Sequence, residues 1–181
     1  MRKNLTPKKE LNLGGGQTKI PGSANIDLIK TSAVDIQHDL NHTPYPLKTN
    51  QFTKIYCYDI LEHLHNVIKV MEELHRIGRP NAKIIIRSPH FSHMNAYTDI
   101  THVHHFGFFS FDYFTDNNKW NFYTKKSVRF SYISRRIVFQ NGLLKKLFEW
   151  FFNRHPKYYE SKLAWIFPAQ QIDVVLQVIK N

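Results

Sequence analysis

Three consecutive glycines, Gly14, Gly15 and Gly16, close the short apolar-alternating run that begins at Lys9 in this 181-residue chain. With no Cβ, glycine lets the backbone turn sharply at the end of a strand and brings peptide N–H groups against a ligand, which is how nucleotide-type sites begin. A plain glycine turn between two strands uses the same residues, so the chain downstream has to decide. Asp27 ends the next strand-like run, NIDL, where a carboxylate facing the glycine turn can accept two ribose hydroxyls. An exposed loop acid fits that position equally well. Too few residues separate the glycines from Asp27 for a full helix, which argues against a dinucleotide site in particular. Asp39 and Leu40 end a third run, AVDIQHDL, and Asp39 is placed for an adenine amino group.

A second set of residues could act on an acceptor. Of 11 histidines, five (His90, His93, His102, His104 and His105) fall in one window behind the apolar run AKIIIRSP. Asp99 and His102 are three apart and would lie side by side on one helical turn, the carboxylate fixing the imidazole tautomer and raising its basicity. That makes His102 a general base for a hydroxyl, with His90 as the second candidate. A His-Asp pair that only pins the loop is the equal alternative. Asp99, His102, His104 and His105 are also chemically fit for zinc or another divalent ion. Adjacent His104 and His105 point apart in an extended segment, however, so no metal is expected.

The elements that must position these groups follow from periodicity. Leu11–Leu13, Asn25–Leu28, Ala33–Leu40 and the run from Phe52 read as strands. Val67, Val70, Met71, Leu74 and Ile77 recur at helical steps behind Asn66 as N-cap, and Gly78 and Pro80 end that helix. Ala82–Pro89 is nearly all apolar, the pattern of a central parallel strand buried on both faces. The sum is an open α/β sheet with its loops gathered at the strands' carboxyl ends. Cys57 is the only cysteine, which excludes an internal disulfide and a cysteine-built zinc site and fits a reducing cytoplasm. No apolar run approaches the length of a membrane span, and the N-terminus lacks a signal-peptide core.

This order of pieces resembles a class I S-adenosylmethionine-dependent methyltransferase of the small kind described as methyltransferase type 11. LNLGGG is similar to the family's first motif, NIDL to its acidic second-strand end and HDL to the aspartate after the third strand. YCYDILEHL resembles its fourth strand and LEH-containing helix start, and EELHRIGRPNAKIIIRSP the helix, turn and fifth strand. The resemblance implies a single domain over 1–181, cofactor-binding in 9–90 and acceptor-facing in 91–181. It implies a Rossmann-like, mostly parallel sheet with helices on both faces, an antiparallel C-terminal edge, and a first helix short or absent. S-adenosylmethionine is the implied cofactor. Gly14, Gly15 and Gly16 would line its methionine and ribose, Asp27 would hold the ribose hydroxyls, Asp39 and Leu40 the adenine, and Tyr58 with Asp59 would border the sulfonium. Asn12 stands where the family usually has an acid, so an amide or water-mediated contact would replace a charged one. Glu62 and His63 belong to the LEH signature, with capping or packing as the alternative to chemistry. Residues 89–114 and the ending from Leu163 are similar to a subgroup associated with surface-polysaccharide or lipid-linked sugar synthesis.

Formal net charge is +11, and between Lys119 and Lys162 eleven Lys or Arg face two Glu. Such a surface attracts phosphate, anionic lipid or acidic sugars, and is otherwise a well-solvated face. In GLLKKLFEWFFNR, residues 142–154, Leu143, Leu144, Leu147, Phe148, Phe151 and Phe152 gather on one side of a helix. That helix either packs on the core or lies on an anionic membrane at the inner face. Phe106, Phe108, Phe109, Phe111, Tyr113 and Phe114 either close a lid or pack under the sheet. Residues 122–139 read as an antiparallel strand pair and Ile172–Lys180 as a final strand. The expected activity is methyl transfer to oxygen of a small-molecule, sugar or lipid-linked acceptor. The alternatives are a non-catalytic module of the same fold that binds lipid or polyanion, or methylation of RNA, which charge alone suggests. Oligomeric state is not legible.

Overall fold

The structure, a computed structural model, describes residues 8–116, 125 and 127–180. Seven strands form one sheet: β1 (Glu10–Leu13), β2 (Ser23–Asp27), β3 (Ile36–Gln37), β4 (Phe52–Tyr58), β5 (Gly78–Pro89), β6 (Arg129–Val138) and β7 (Gln171–Ile179). Their order is β3-β2-β1-β4-β5-β7-β6. β1 to β5 pair in parallel, and β7 is antiparallel to both β5 and β6. The carboxyl ends of β1, β2, β4 and β5 therefore share one edge, which is where the glycine loop and the acids fall.

One face of the sheet is the core. Leu11, Leu13, Ile26, Ile55, Cys57, Ile84, Ile86, Ile172, Val174 and Leu176 are buried there, and α1 (Val67–Ile77) lays Val70, Met71, Leu74 and Ile77 on them. Each of those helix side chains contributes about 1.5–3 kcal/mol by leaving water. The helix starts where Asn66 accepts a hydrogen bond from Lys69 N (3.0 Å), the N-cap expected. α3 (Lys145–Phe152) packs on the same side, through Phe152 against Ile137, which is paired with Ile172.

The expected helices on both faces, and the burial of β5 on both faces, are not found among the described residues. Opposite the core the sheet shows Glu10, Lys54, Tyr56, Lys83, Ile85, Arg87 and Asp173, all exposed or half-exposed. Polar pairs hold that face: Lys54 with Glu10 (2.9 Å), Tyr56 Oη donating to Glu10 (2.7 Å) and Arg136 with Asp173 (3.1 Å). The cause is chain length. The β1–β2 link runs only from Gly14 to Gly22 and contains Pro21, too little chain for a crossover helix and its turns.

Beyond β5 the chain differs from the sequence reading in one more place. Residues 129–138 form one strand against β7 rather than half of a strand pair of their own; Phe122–Thr124 and Lys126 lie outside the described residues. The aromatic run packs under the sheet, with Phe106, Phe108, Phe111 and Phe114 buried and Phe109 at the rim.

Candidate active site

At the carboxyl edge the glycine loop is built by close approach. Gly14 has φ +66°, and a Cβ there would stand 2.3 Å from Ile60 Cγ1. A Cβ on Gly15 would stand 2.1 Å from Asn12 Nδ2 and 2.2 Å from Asn25 Oδ1. Gly16, at φ +54°, faces open space and donates its N–H to Asp27 Oδ2 (2.8 Å). Ile29 N donates to the other oxygen of Asp27 (2.9 Å). A carboxylate has about four acceptor positions, so Asp27 keeps roughly two for a ligand's hydroxyls. Asn12 is buried and donates to Thr18 O (2.9 Å), tying the far arm of the loop down instead of reaching outward.

Asp39 receives Asn41 N (2.9 Å) and pairs with His42 (3.0 Å); the Asn41 N–H first, and His42 further down, hold its carboxyl below the usual range against some burial. Leu40 is buried, its carbonyl accepting from Tyr45 Oη (3.0 Å). Tyr58 lies under the Arg87 guanidinium, 4.8 Å from ring to charge. Asp59, at φ +50°, pairs with Arg87 through Nε (3.0 Å) and a closer Nη2 contact. Together with Gly14 against Ile60, this places the glycine loop beside the end of β4.

Past β4 and β5 opens a cleft of about 870 Å³, lined by Asp59, Glu62, His63, Arg87, Asn95, Thr98, Asp99, His102 and Gln171 among others. Glu62 and His63 sit in a 3-10 turn, Leu61–His63, and the loop opposite is clamped to it by Val103 N and His104 N, both donating to Glu62 O (2.9 and 3.2 Å). That clamp puts the His102 ring edge-on to His63, with 4.5 Å between centroids.

The Asp99–His102 side-chain pair expected from spacing does not form. Asp99 Oδ1 instead accepts from Thr101 N (2.9 Å) and Thr101 Oγ1 (2.6 Å), while His63 Nδ1 meets Thr101 Oγ1 at 2.8 Å. The threonine hydroxyl has one proton, and it goes to the carboxylate. Its lone pair must then accept His63 Nδ1–H, which leaves His63 Nε2 as a bare lone pair. His102 Nδ1 faces Ala96 O (3.2 Å), an acceptor only, so His102 Nε2 is also unprotonated in the neutral ring. Burial first, and the neighbouring His102 second, pull the His63 pKa down, so the neutral form dominates near pH 7.

Glu62 is 1% exposed, and neither carboxylate oxygen has a hydrogen-bond partner. The Ser88 hydroxyl nearby is also without a partner, and burial pushes the Glu62 carboxyl up. The other histidines disperse. His90 is fully buried between Ser92 Oγ (2.8 Å) and Glu160 Oε1 (3.2 Å) and does not line the cleft. His93 contacts Gln140, His104 faces His65 O and His105 stacks near Tyr97. The set Asp99, His102, His104 and His105 is therefore not assembled. The residues that do converge, Glu62 and His63 with His102, include two for which sequence reading weighed capping or packing against chemistry; the LEH signature was the signal that named them.

The site thus lies at the end of a parallel sheet with a glycine loop after β1 and with β7 inserted antiparallel between β5 and β6. The family model described as "Methyltransferase domain" matches residues 21–86. Among solved structures, an S-adenosylmethionine dependent methyltransferase from Mesorhizobium loti is 11% identical with a TM-score of 0.56, the match covering 96% of this chain and 93% of that one. One from Archaeoglobus fulgidus is 14% identical with a TM-score of 0.60, over 94% and 88%. An N-methyltransferase of Haemonchus contortus, solved with phosphomonomethylethanolamine and S-adenosylhomocysteine, is 13% identical with a TM-score of 0.54, over 97% of this chain and 49% of its own. No curated protein sequence matches. The segment 21–86 thus matches a methyltransferase-domain model, and the chain as a whole has the fold of S-adenosylmethionine-dependent methyltransferases.

Proposed function

We propose that this protein is an S-adenosylmethionine-dependent methyltransferase that methylates an oxygen of a hydroxyl-rich acceptor, a small molecule, sugar or lipid-linked sugar. The observation that carries the reading is the cleft past β4 and β5, lined mainly by polar side chains and holding two imidazole nitrogens with free lone pairs. A hydroxyl acceptor needs its proton removed as the new bond forms, and a neutral imidazole is the side chain suited to take it near pH 7.

The residues present fit the cofactor. Gly14 and Gly15 leave no room for a Cβ, Gly16 borders open space, and Asp27 keeps acceptor positions beside that space for the ribose hydroxyls. Asp39 and Leu40 serve the adenine, and Tyr58 and Asp59 border the sulfonium. When bound, the cofactor supplies a methyl group already activated on sulfur, so the chain's own work is alignment, exclusion of water and movement of one proton. His63, oriented through Thr101 by Asp99, and His102 are the groups that take that proton.

Incubation of the enzyme with methyl-labelled cofactor and candidate acceptor pools tests the reading. Label in an alkali-stable, cofactor-dependent ether on a sugar or lipid-linked sugar is the expected result. Transfer only to nitrogen, or to RNA, would overturn it.

The location of the acceptor follows from α3. Contrary to ordinary core packing, Leu143, Leu144, Leu147, Trp150 and Phe151 are exposed, and only Phe152 is buried. Trp165 and Ile166 are exposed as well, with Lys145, Lys146, Arg154, Lys157 and Lys162 in the same stretch of chain. Apolar side chains rimmed by cations favour an anionic bilayer surface, so this reading places the enzyme in the cytoplasm against the inner membrane face. No described helix is long and apolar enough to cross a membrane. Co-sedimentation with phosphatidylglycerol vesicles, lost in Leu147→Glu/Trp150→Glu and weak with phosphatidylcholine, is expected; equal behaviour of the variant would refute the contact.

A further inference from the structure

Among the described residues, Glu62, His63 and His102 stand apart from the other ionisable groups. Glu62 is buried, with both oxygens lacking a hydrogen-bond partner, although buried polar atoms ordinarily keep at least one. One ligand atom from each of the three residues lies within 4.8 Å of the others. Each imidazole is held from behind at Nδ1, His63 by the Thr101–Asp99 relay and His102 by the Ala96 carbonyl. Both therefore direct an unprotonated Nε2 away from those supports. A back-side hydrogen bond of this kind is what fixes the tautomer of metal-ligating histidines.

The geometry points to a divalent-cation site formed by Glu62, His63 and His102, opening onto the acceptor cleft. Two imidazoles and a carboxylate leave coordination positions free, the arrangement of a catalytic rather than a structural metal. Bonds near 2.0–2.2 Å require the three groups to draw together by about an ångström, within reach of small side-chain rotations. The ion supplies the missing partner for Glu62, and repulsion between two protonated rings is avoided because the ring nitrogens bind as neutral donors.

The ion's use in the reaction rests on the oxygen-transfer reading; its binding does not. With the ion bound, the two Nε2 lone pairs no longer serve as bases; an acceptor hydroxyl on an open position has its pKa lowered and releases its proton to cleft water instead. The alkoxide oxygen then bonds to the methyl carbon while the carbon–sulfur bond breaks, sulfur keeping the electron pair as a neutral thioether.

The test uses the full chain, stripped with chelator and titrated with Mn2+, Co2+ and Zn2+ separately. One equivalent of at least one ion is expected to bind, with affinity lowered tenfold or more in Glu62→Gln, His63→Ala and His102→Ala and unchanged in His104→Ala. Co2+ reports ligation directly through its visible absorption, which those three variants lose. Glu62→Gln keeps shape and removes a buried, unpartnered charge, so the metal-free variant should melt no lower than the metal-free parent while losing the rise in Tm on adding metal. Absence of saturable binding, or binding that survives all three substitutions, overturns the site. Titration with S-adenosylmethionine on the same samples keeps the two readings apart: cofactor binding without metal binding removes the metal site alone, and metal binding without cofactor binding removes the methyl-transfer reading alone.

Discussion

Asp27→Ala lowers affinity for S-adenosylmethionine by about 10- to 100-fold in isothermal titration, the loss expected when hydrogen bonds to a charged acceptor worth about 1.5–3 kcal/mol are removed. Two effects combine. The carboxylate is the only acidic side chain that touches the glycine loop in the hydrogen bonds of the described residues, through Gly16 N, and its remaining lone pairs border the open space in front of Gly16. Removing it also frees the N–H groups of Gly16 and Ile29, so the loop loses the contact that fixes its outer arm. Asp27→Asn separates the two contributions. Its amide oxygen can still accept one backbone N–H, so loop order is largely kept while the charge and one acceptor site are lost, giving an intermediate affinity. Unchanged affinity in a folded Asp27→Ala protein would show that the ribose is held elsewhere.

Gly14→Ala destabilises the protein by about 2–4 kcal/mol in urea unfolding, a large part of the roughly 5–15 kcal/mol that keeps a domain folded. The left-handed backbone conformation contributes about 1–2 kcal/mol. The clash with Ile60, whose Cγ1, Cδ1 and Cβ all lie within 2.9 Å of the new methyl, adds about 1–3 kcal/mol of overpacking. Ile60→Ala in the same chain relieves the clash and not the backbone strain, so the double variant should show a favourable coupling of about 1 kcal/mol or more. Gly16→Ala carries the strain without a clash and costs about 1–2 kcal/mol. A neutral Gly14→Ala would mean that the loop does not approach β4 as described. Because Ile60 follows Asp59, the same substitution should also weaken cofactor binding, which links the stability of this contact to the site.

Local pattern carried much of this molecule. The period of Val67–Ile77 and its Asn66 cap located α1, and alternation located β1, β2, β4 and β7, because these depend on side chains within a few residues of one another. The acids at the ends of β2 and β4 were legible for a related reason: in parallel strands, whatever ends each strand shares one edge. Spacing misled where it assumed a local partner. Asp99 and His102 are three apart, yet the backbone turns at Asp99 and the carboxylate closes on Thr101 instead.

What sequence by itself determined was the open, mostly parallel sheet, its glycine loop and its acidic strand ends. Tertiary structure alone decided that Glu62 and His63 meet His102, since backbone bonds across 40 residues of chain hold those loops together. It also decided that the second face of the sheet lacks a helical layer among the described residues and that α3 turns its leucines outward. Each of these depends on what stands beyond the element itself, and a residue's own neighbours in sequence carry no record of that.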